Sequence, residues 1–189
     1  MPLTPIPRLW RAEKVSHRYV ADYKPFSFVD GEGVRCSLYV AGCLFKCEGC
    51  FNEAAWSFRL GQPYTDELGD RIMGDLAHES VQGLSILGGE PFLNTQVCLD
   101  VVGRLREEFG ATKDVWCWSG YTFEELLADS EDKRELLAEV DVLCEGRFEQ
   151  DQRDLSLAFR GSRNQRVLNA RASLVAGEAV WHRAAATSR

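Results

Sequence analysis

From Val34 to Ala41 apolar and polar residues alternate, with Val34, Cys36, Leu38 and Val40 on one side and Arg35, Ser37 and Tyr39 on the other. That period of two predicts a strand. From Thr65 the period lengthens. Leu68, Ile72, Leu76 and Ala77 share one face of a helix running to about Glu79, with Thr65 as N-cap and Asp66 and Glu67 in the first turn. The short apolar run at 84–89 reads as a second strand, 94–110 as an amphipathic helix stopped by Gly110, and 114–120 as a third strand. Thr122 and Glu125 form a capping box for a helix to about Ala128, Lys133 to Glu139 continues in helical spacing, and 140–146 is a buried-type fourth strand. Four strands alternating with helices predict an α/β chain whose strands run mostly parallel under a helical layer.

The two ends follow a different pattern. Pro2, Pro5 and Pro7 are expected to break any regular element near the start, so residues 1–22 read as an extension and 23–189 as one domain. After Arg147 the chain is polar and irregular, with a loop at 159–166 and an expected short hairpin across Arg171 to Trp181. At 189 residues, 45% hydrophobic and 27% charged, the composition is that of an ordinary globular protein. A net charge of -7 argues against nucleic acid as a partner, because counterion release needs clustered lysine and arginine. The sequence holds neither a signal-peptide core nor an apolar run of the roughly 18 residues that span a membrane. The expected location is the cytoplasm, where thiols stay reduced.

That location sharpens the meaning of the seven cysteines, three of which crowd into "GCLFKCEGCFN" at 42–52. Cys43, Cys47 and Cys50 are spaced by four and three, as on one face of a helix, but Gly42 and Gly49 count against a helix, each glycine costing about 0.8–1.0 kcal/mol relative to alanine. A four-thiolate zinc site would need a further ligand. Cys36 is badly placed for it, because a strand rises about 3.3 Å per residue and leaves it roughly 17 Å from Ala41. Cys98, Cys117 and Cys144 sit in other elements as small apolar residues, although folding can bring distant residues together. Three thiolates on a loop suit a cubane iron-sulfur cluster with one iron open to substrate. The loop follows the first of the alternating strands, and sites in such folds lie at the carboxyl ends of strands. At the end of the second strand stands "LGGEP", Leu87 to Pro91, which alone reads as a turn. Beside a cluster loop, Gly88 and Gly89 offer close backbone approach and Glu90 an acceptor for an ammonium group.

The cysteine spacing resembles the CxxxCxxC motif of radical S-adenosylmethionine enzymes, and "GGEP" resembles the motif by which they hold the methionyl amine. The stretches 29–52, 61–65, 87–92, 115–126, 140–154 and 159–166 resemble, in order, the activating proteins of anaerobic ribonucleotide reductase. The resemblance implies an abbreviated, incompletely closed radical-SAM (β/α) barrel. It implies one 4Fe-4S cluster on Cys43, Cys47 and Cys50, with S-adenosyl-L-methionine as cofactor. Gly88, Gly89 and Glu90 would orient the methionyl end, and Gly49, Cys50 and Phe51 would face the nucleoside, Phe51 standing in for an aromatic residue that in the wider superfamily often precedes the third cysteine. No catalytic residue beyond the cluster ligands is implied. In the implied reaction one electron cleaves the sulfonium to methionine and a 5′-deoxyadenosyl radical, which takes hydrogen from a glycine of the anaerobic ribonucleoside-triphosphate reductase. A low-potential donor such as a flavodoxin would supply the electron. An incompletely closed sheet would admit a loop of that large partner.

Two other classes of function fit the residues: a radical enzyme modifying a small molecule or peptide, and a noncatalytic iron-sulfur or zinc module. Trp116 and Trp118 flank Cys117, and at least one of them is expected in the core. Arg160, Arg163 and Arg166 form either a partner contact or a solvated basic loop. His17, His78 and His182 have no candidate ligand beside them in the sequence and are assigned no chemistry.

Overall fold

The computed structural model describes residues 7–183. A single 3-10 turn at Pro7–Leu9 leads into a short helix, α1 (Ala12–Val15). Then come β1 (Tyr19–Ser27), β2 (Val34–Val40), a two-residue edge strand β3 (Gln62–Pro63) and α2 (Asp66–Leu76). The chain continues through β4 (Val81–Gly88), α3 (Thr95–Phe109), β5 (Asp114–Ser119), α4 (Phe123–Leu127), α5 (Glu131–Glu139) and β6 (Val142–Glu145). It closes with β7 (Arg166–Asn169) and α6 (Ala170–Ala176).

All seven strands form one mixed sheet in the order β3-β1-β2-β4-β5-β6-β7. The four strands expected from the sequence, β2, β4, β5 and β6, are its parallel centre. Antiparallel strands flank them: β1 and β3 on one side and β7 on the other. The sheet is not closed, since β3 and β7 stand at opposite edges.

Its helix-covered face carries the main core. Cys36, Leu38, Leu84, Ile86, Val115, Cys117 and Leu143 from the strands meet Ile72, Leu76, Val101, Leu105, Leu136 and Leu137 from the helices, all fully buried. Each such aliphatic side chain contributes about 1.5–3 kcal/mol by leaving water. The opposite face has a smaller core of Trp116, Val142, Cys144 and Val167, covered by Trp118, Phe159 and Trp181. Trp116 is the core member of the tryptophan pair.

The polar side of β2 is buried too. Arg35 is fully buried, donating from Nε to Ser85 Oγ (2.7 Å) and pairing with Asp114 (2.7 Å), with its guanidinium over the Trp116 ring. Ser37 and Tyr39 both donate to Asp30 Oδ2, at 2.8 and 2.6 Å. A buried guanidinium persists where its donors are satisfied, and this one is.

The ends of the chain depart from expectation. The boundary drawn at residue 22 falls inside β1, and the Pro7 region makes a turn and a helix, since proline is compatible with a first turn, where its missing N–H is not needed; Pro2 and Pro5 lie outside the described residues. Across 171–181 there is no hairpin. The Asn169 side chain caps α6 by accepting from Ala172 N (2.9 Å), Gly177 ends that helix at φ 72°, and only an isolated bridge joins Leu168 to Trp181. A cap one residue before an alanine-rich run favours the helix over an extended pair of strands.

The Thr122 capping box is formed in full, with Thr122 Oγ1 accepting from Glu125 N and Glu125 accepting from Thr122 N. Replacing Thr122 by Ala is expected to lower unfolding free energy by about 1 kcal/mol. Urea denaturation followed by circular dichroism measures it, and an unchanged midpoint would show that the box contributes nothing here.

Candidate iron-sulfur centre

The parallel register brings the two sequence motifs together. Val40, the last residue of β2, is paired with Gly88, the last of β4, so both motifs leave the sheet at the same edge. The contact between them is backbone on backbone. Gly89 N donates to Val40 O (2.8 Å) and Glu90 N to Gly42 O (2.8 Å). A β-carbon on Gly89 would lie 2.4 Å from Gly42 O, and Gly88 has φ 111°. Only glycine permits this approach without displacing the cysteine loop.

From Gly42 the loop runs without helix or strand to a 3-10 turn at Glu53–Trp56. Gly42 N and Cys43 N donate to the carbonyls of Ala55 (2.8 Å) and Trp56 (3.3 Å), and Cys50 N to that of Cys47 (3.1 Å). Cys43, Cys47 and Cys50 are all half-buried. Burial pushes the Cys43 thiol up to about 12; the Glu90 carboxyl adds to this, and hydrogen bonds from the Phe45 and Lys46 backbone oppose it. Burial likewise raises Cys47, against a hydrogen bond from the Phe148 backbone and the charge of Arg147. Cys43 and Cys47 therefore hold their protons at neutral pH until a metal displaces them.

The donor set fits a cubane cluster. Three thiols share one loop, all of them half-buried and none in a disulfide, which is the soft donor set that iron-sulfur clusters take. Among the described residues no three Cys, His, Asp or Glu side chains are grouped as the ligands of a single metal ion are. A cubane hands each thiolate to a different iron and does not require that grouping. The remaining cysteines are placed elsewhere: Cys36, Cys98, Cys117 and Cys144 are buried, and Cys36 Sγ faces the Pro25 carbonyl at 3.2 Å. Cys36 is no fourth ligand.

Glu90 points inward. Its Oε1 accepts from Ser119 Oγ (2.8 Å) and Phe92 N (3.0 Å), and its Oε2 from Gly120 N (2.8 Å). Burial pushes this carboxyl up to about 7 despite those donors. Oε2 has capacity for a further donor beyond Gly120. Phe51 lies on the outside of the loop, 93% exposed, and Gly49 is exposed beside Gln150 and Phe148.

Sequence reasoning misses several residues that shape the site. The Arg147 guanidinium stacks over the Phe45 ring (4.8 Å) and binds Glu125 (2.7 Å), while Phe148 serves Cys47. Ser119 and Gly120 hold Glu90. These contacts cross about twenty to a hundred positions of chain, and no periodicity encodes them. Arg163 pairs with Asp154 (3.1 Å), and Arg166 with Glu124 (2.6 Å) and Glu145, while Arg160 donates to Gln165 O (2.7 Å). Each basic side chain of that loop is thus engaged within the chain.

Residues 29–168 match the family described as a 4Fe-4S single cluster domain. Over 147 residues the chain is 44% identical to the anaerobic ribonucleoside-triphosphate reductase-activating protein of Pasteurella multocida (strain Pm70), covering 76% of this chain and 92% of that one. It is 40% identical over 149 residues to the protein of the same name from Escherichia coli (strain K12), covering 77% and 94%, and 37% identical over 145 residues to that of Enterobacteria phage T4, covering 76% and 88%. Fold, thiol loop and family match together define an α/β protein with a 4Fe-4S single cluster domain. More narrowly, the chain belongs to the family of anaerobic ribonucleoside-triphosphate reductase-activating proteins. Among the described residues, no helix is long and apolar enough to cross a membrane.

Glu90 gives the metal-free protein a defined pH response. Its folded value is raised from the ordinary 4.5 to about 7, so the folded state binds more protons than the unfolded one between those limits. The stability this carboxyl contributes is full below 4.5 and is lost as pH rises through about 7. Urea midpoints of wild type and Glu90→Gln, compared across that range, are expected to shift in favour of the variant as pH rises. Parallel curves would show that Glu90 does not titrate there.

Proposed function

We propose that this chain activates an anaerobic ribonucleoside-triphosphate reductase by generating a glycyl radical on it, using one 4Fe-4S cluster and S-adenosyl-L-methionine. The single observation that carries this reading is the Val40–Gly88 register, which sets a three-thiol loop against a Gly-Gly-Glu turn. Family membership supplies the partner: the relatives are named for activating that reductase.

Cys43, Cys47 and Cys50 would hold the cluster, leaving one iron for the cofactor's amino and carboxylate groups. When bound, the cluster supplies the electron that reductively cleaves the sulfonium. The chain's own part is positioning. Gly88 and Gly89 let the cysteine loop pack directly on the turn that would orient the methionyl end, and Glu90, anchored by Ser119 and Gly120, has acceptor capacity for its ammonium group. Gly49, Cys50 and Phe51 would face the nucleoside, with the exposed Phe51 ring free to stack on adenine. The open sheet is compatible with an abbreviated barrel that admits a protein loop to the cysteine edge. A low-potential donor such as a flavodoxin would reduce the cluster, and a reducing cytoplasm would keep the ligand thiols free.

Reconstituted protein, a reductant and S-adenosylmethionine, mixed anaerobically with the cognate reductase, are expected to yield methionine, 5′-deoxyadenosine and a glycyl radical signal by electron paramagnetic resonance. Cofactor cleavage without that signal would point to a small-molecule or peptide substrate, and absence of both iron and cleavage to a noncatalytic module. Replacing Cys43, Cys47 or Cys50 by Ala is expected to abolish cleavage, while Cys36→Ala retains it. Loss of the cluster in Cys36→Ala would contradict the ligand assignment.

A further inference from the structure

The segment preceding β1 lies outside the matched stretch 29–168, yet it grips the cysteine loop from two directions. In the first, Trp10 packs edge-on against Phe45, the residue midway between Cys43 and Cys47, with ring centroids 5.1 Å apart. Tyr121 completes the cluster, 4.9 Å from Phe45 and 6.4 Å from Trp10. Edge-to-face contacts at these separations are attractive beyond the area they bury.

Polar bonds lock that contact in place. Lys133 is fully buried, and its ammonium donates to the Trp10 carbonyl (2.9 Å), Tyr121 Oη (3.0 Å) and Asp129 Oδ2 (3.0 Å). All three of its donors are used, and one of the partners belongs to the N-terminal segment. Tyr121 Oη in turn donates to the Pro7 carbonyl (3.2 Å), and Arg11 reaches Asp129 Oδ1 (3.4 Å). Removing the segment would leave a buried ammonium short of an acceptor, which is strongly unfavourable.

In the second direction, Ser16 Oγ donates to Asn94 Oδ1 (2.5 Å). The buried Asn94 amide donates to the carbonyls of Tyr19 (3.0 Å) and Ala41 (3.3 Å). Ala41 is two residues ahead of Cys43. The segment thus fixes the loop where it leaves β2 and again at Phe45, between two of its three thiols.

We propose that residues 7–16 are an intramolecular strap that holds the Cys43–Cys50 loop in the shape that accepts its cluster, with Trp10 as the positioning residue. The proposal rests on reading these cysteines as cluster ligands. The loop has no regular structure of its own, so its ordering must come from contacts with other segments, and preordering reduces the entropy lost when a metal group binds.

The test uses the full chain, metal-free, with peptide-resolved mass spectrometry of N-ethylmaleimide labelling, followed by iron content after anaerobic reconstitution. In Trp10→Ala, labelling of Cys43 and Cys47 is expected to speed up roughly five- to tenfold, the scale of one lost aromatic contact. Iron per chain is expected to fall, and Trp10→Phe to restore both. Cys36, Cys98, Cys117 and Cys144 are buried internal reporters, and their labelling is expected to stay slow. Unchanged loop labelling overturns the proposal. So does a rise shared equally by the four core cysteines, because that would be general loosening. Wild-type protein that takes up no iron would defeat the cluster reading itself; wild-type protein that loads iron while Trp10→Ala behaves identically would defeat only the strap.

Discussion

The parallel pairing of β2 with β4, ending with Val40 beside Gly88, is the constraint on which the rest of the structure depends. It aligns the exits of two strands, so a loop carrying three thiols and a turn carrying a buried carboxyl begin at the same level of the sheet. Were β2 to slip by one residue against β4, Cys36 and Leu38 would turn away from the helices toward the opposite face, and their burial would be forfeited. The core therefore enforces the alignment that the site requires. Gly88 and Gly89 then close the remaining gap, since side chains there would force Val40 and Gly42 apart.

Glu90 links this edge to the next strand. Its carboxylate collects hydrogen bonds from Ser119 and Gly120 at the end of β5, so three successive parallel strands contribute to one edge. Burying a carboxyl raises its proton affinity, which is the tension recorded in its value of about 7. A group kept near the balance point between charged and neutral forms responds strongly to an incoming cation, and an ammonium group placed at Oε2 would draw it to the charged form. The same burial raises Cys43, so the two acidic groups resist ionisation together in the metal-free protein.

Much of this architecture is legible in the order of residues alone. Period-two alternation marks β2, short apolar runs mark β4, β5 and β6, and the caps at Thr65 and Thr122 announce helices that form where expected. The cysteine spacing and the Gly-Gly-Glu-Pro turn single out the edge at which both motifs stand. What escapes is whatever depends on tertiary contact. β1 and β7 are antiparallel flanks whose polar residues, such as Asp22, Lys24 and Arg166, give no clean alternation, and α6 is missed because its start is marked only by the Asn169 side chain, which accepts from Ala172 N. Arg35 occupies a polar position in the β2 alternation and is nonetheless buried, because the Asp30 loop and Trp116 close over it. The Phe148 amide at Cys47 lies a hundred positions from its partner, with no pattern connecting them.

The two faces of the sheet are covered by different means, and this difference supports the functional reading. Helices seal one face along its full length with aliphatic side chains. Among the described residues the other has no helical layer; its aromatic core of Trp116, Phe159 and Trp181 lies toward β5–β7, and the Asp30 hydroxyl network lies on β2. On the β2 and β5 strands leading to the cysteine edge, Tyr39 and Trp118 are only half-buried, whereas Ser37 and Trp116, two residues back on the same strands, are fully buried. Burial on this face therefore decreases toward the end of the parallel strands where the thiols stand. Coverage graded in that way is compatible with the proposal that a cofactor and a segment of a protein partner approach the cysteine edge, while the distant part of the same face packs the strands against an aromatic core. Preorganisation at the edge depends on that packing, because a loop without secondary structure can be no better placed than the strands and the strap from which it hangs.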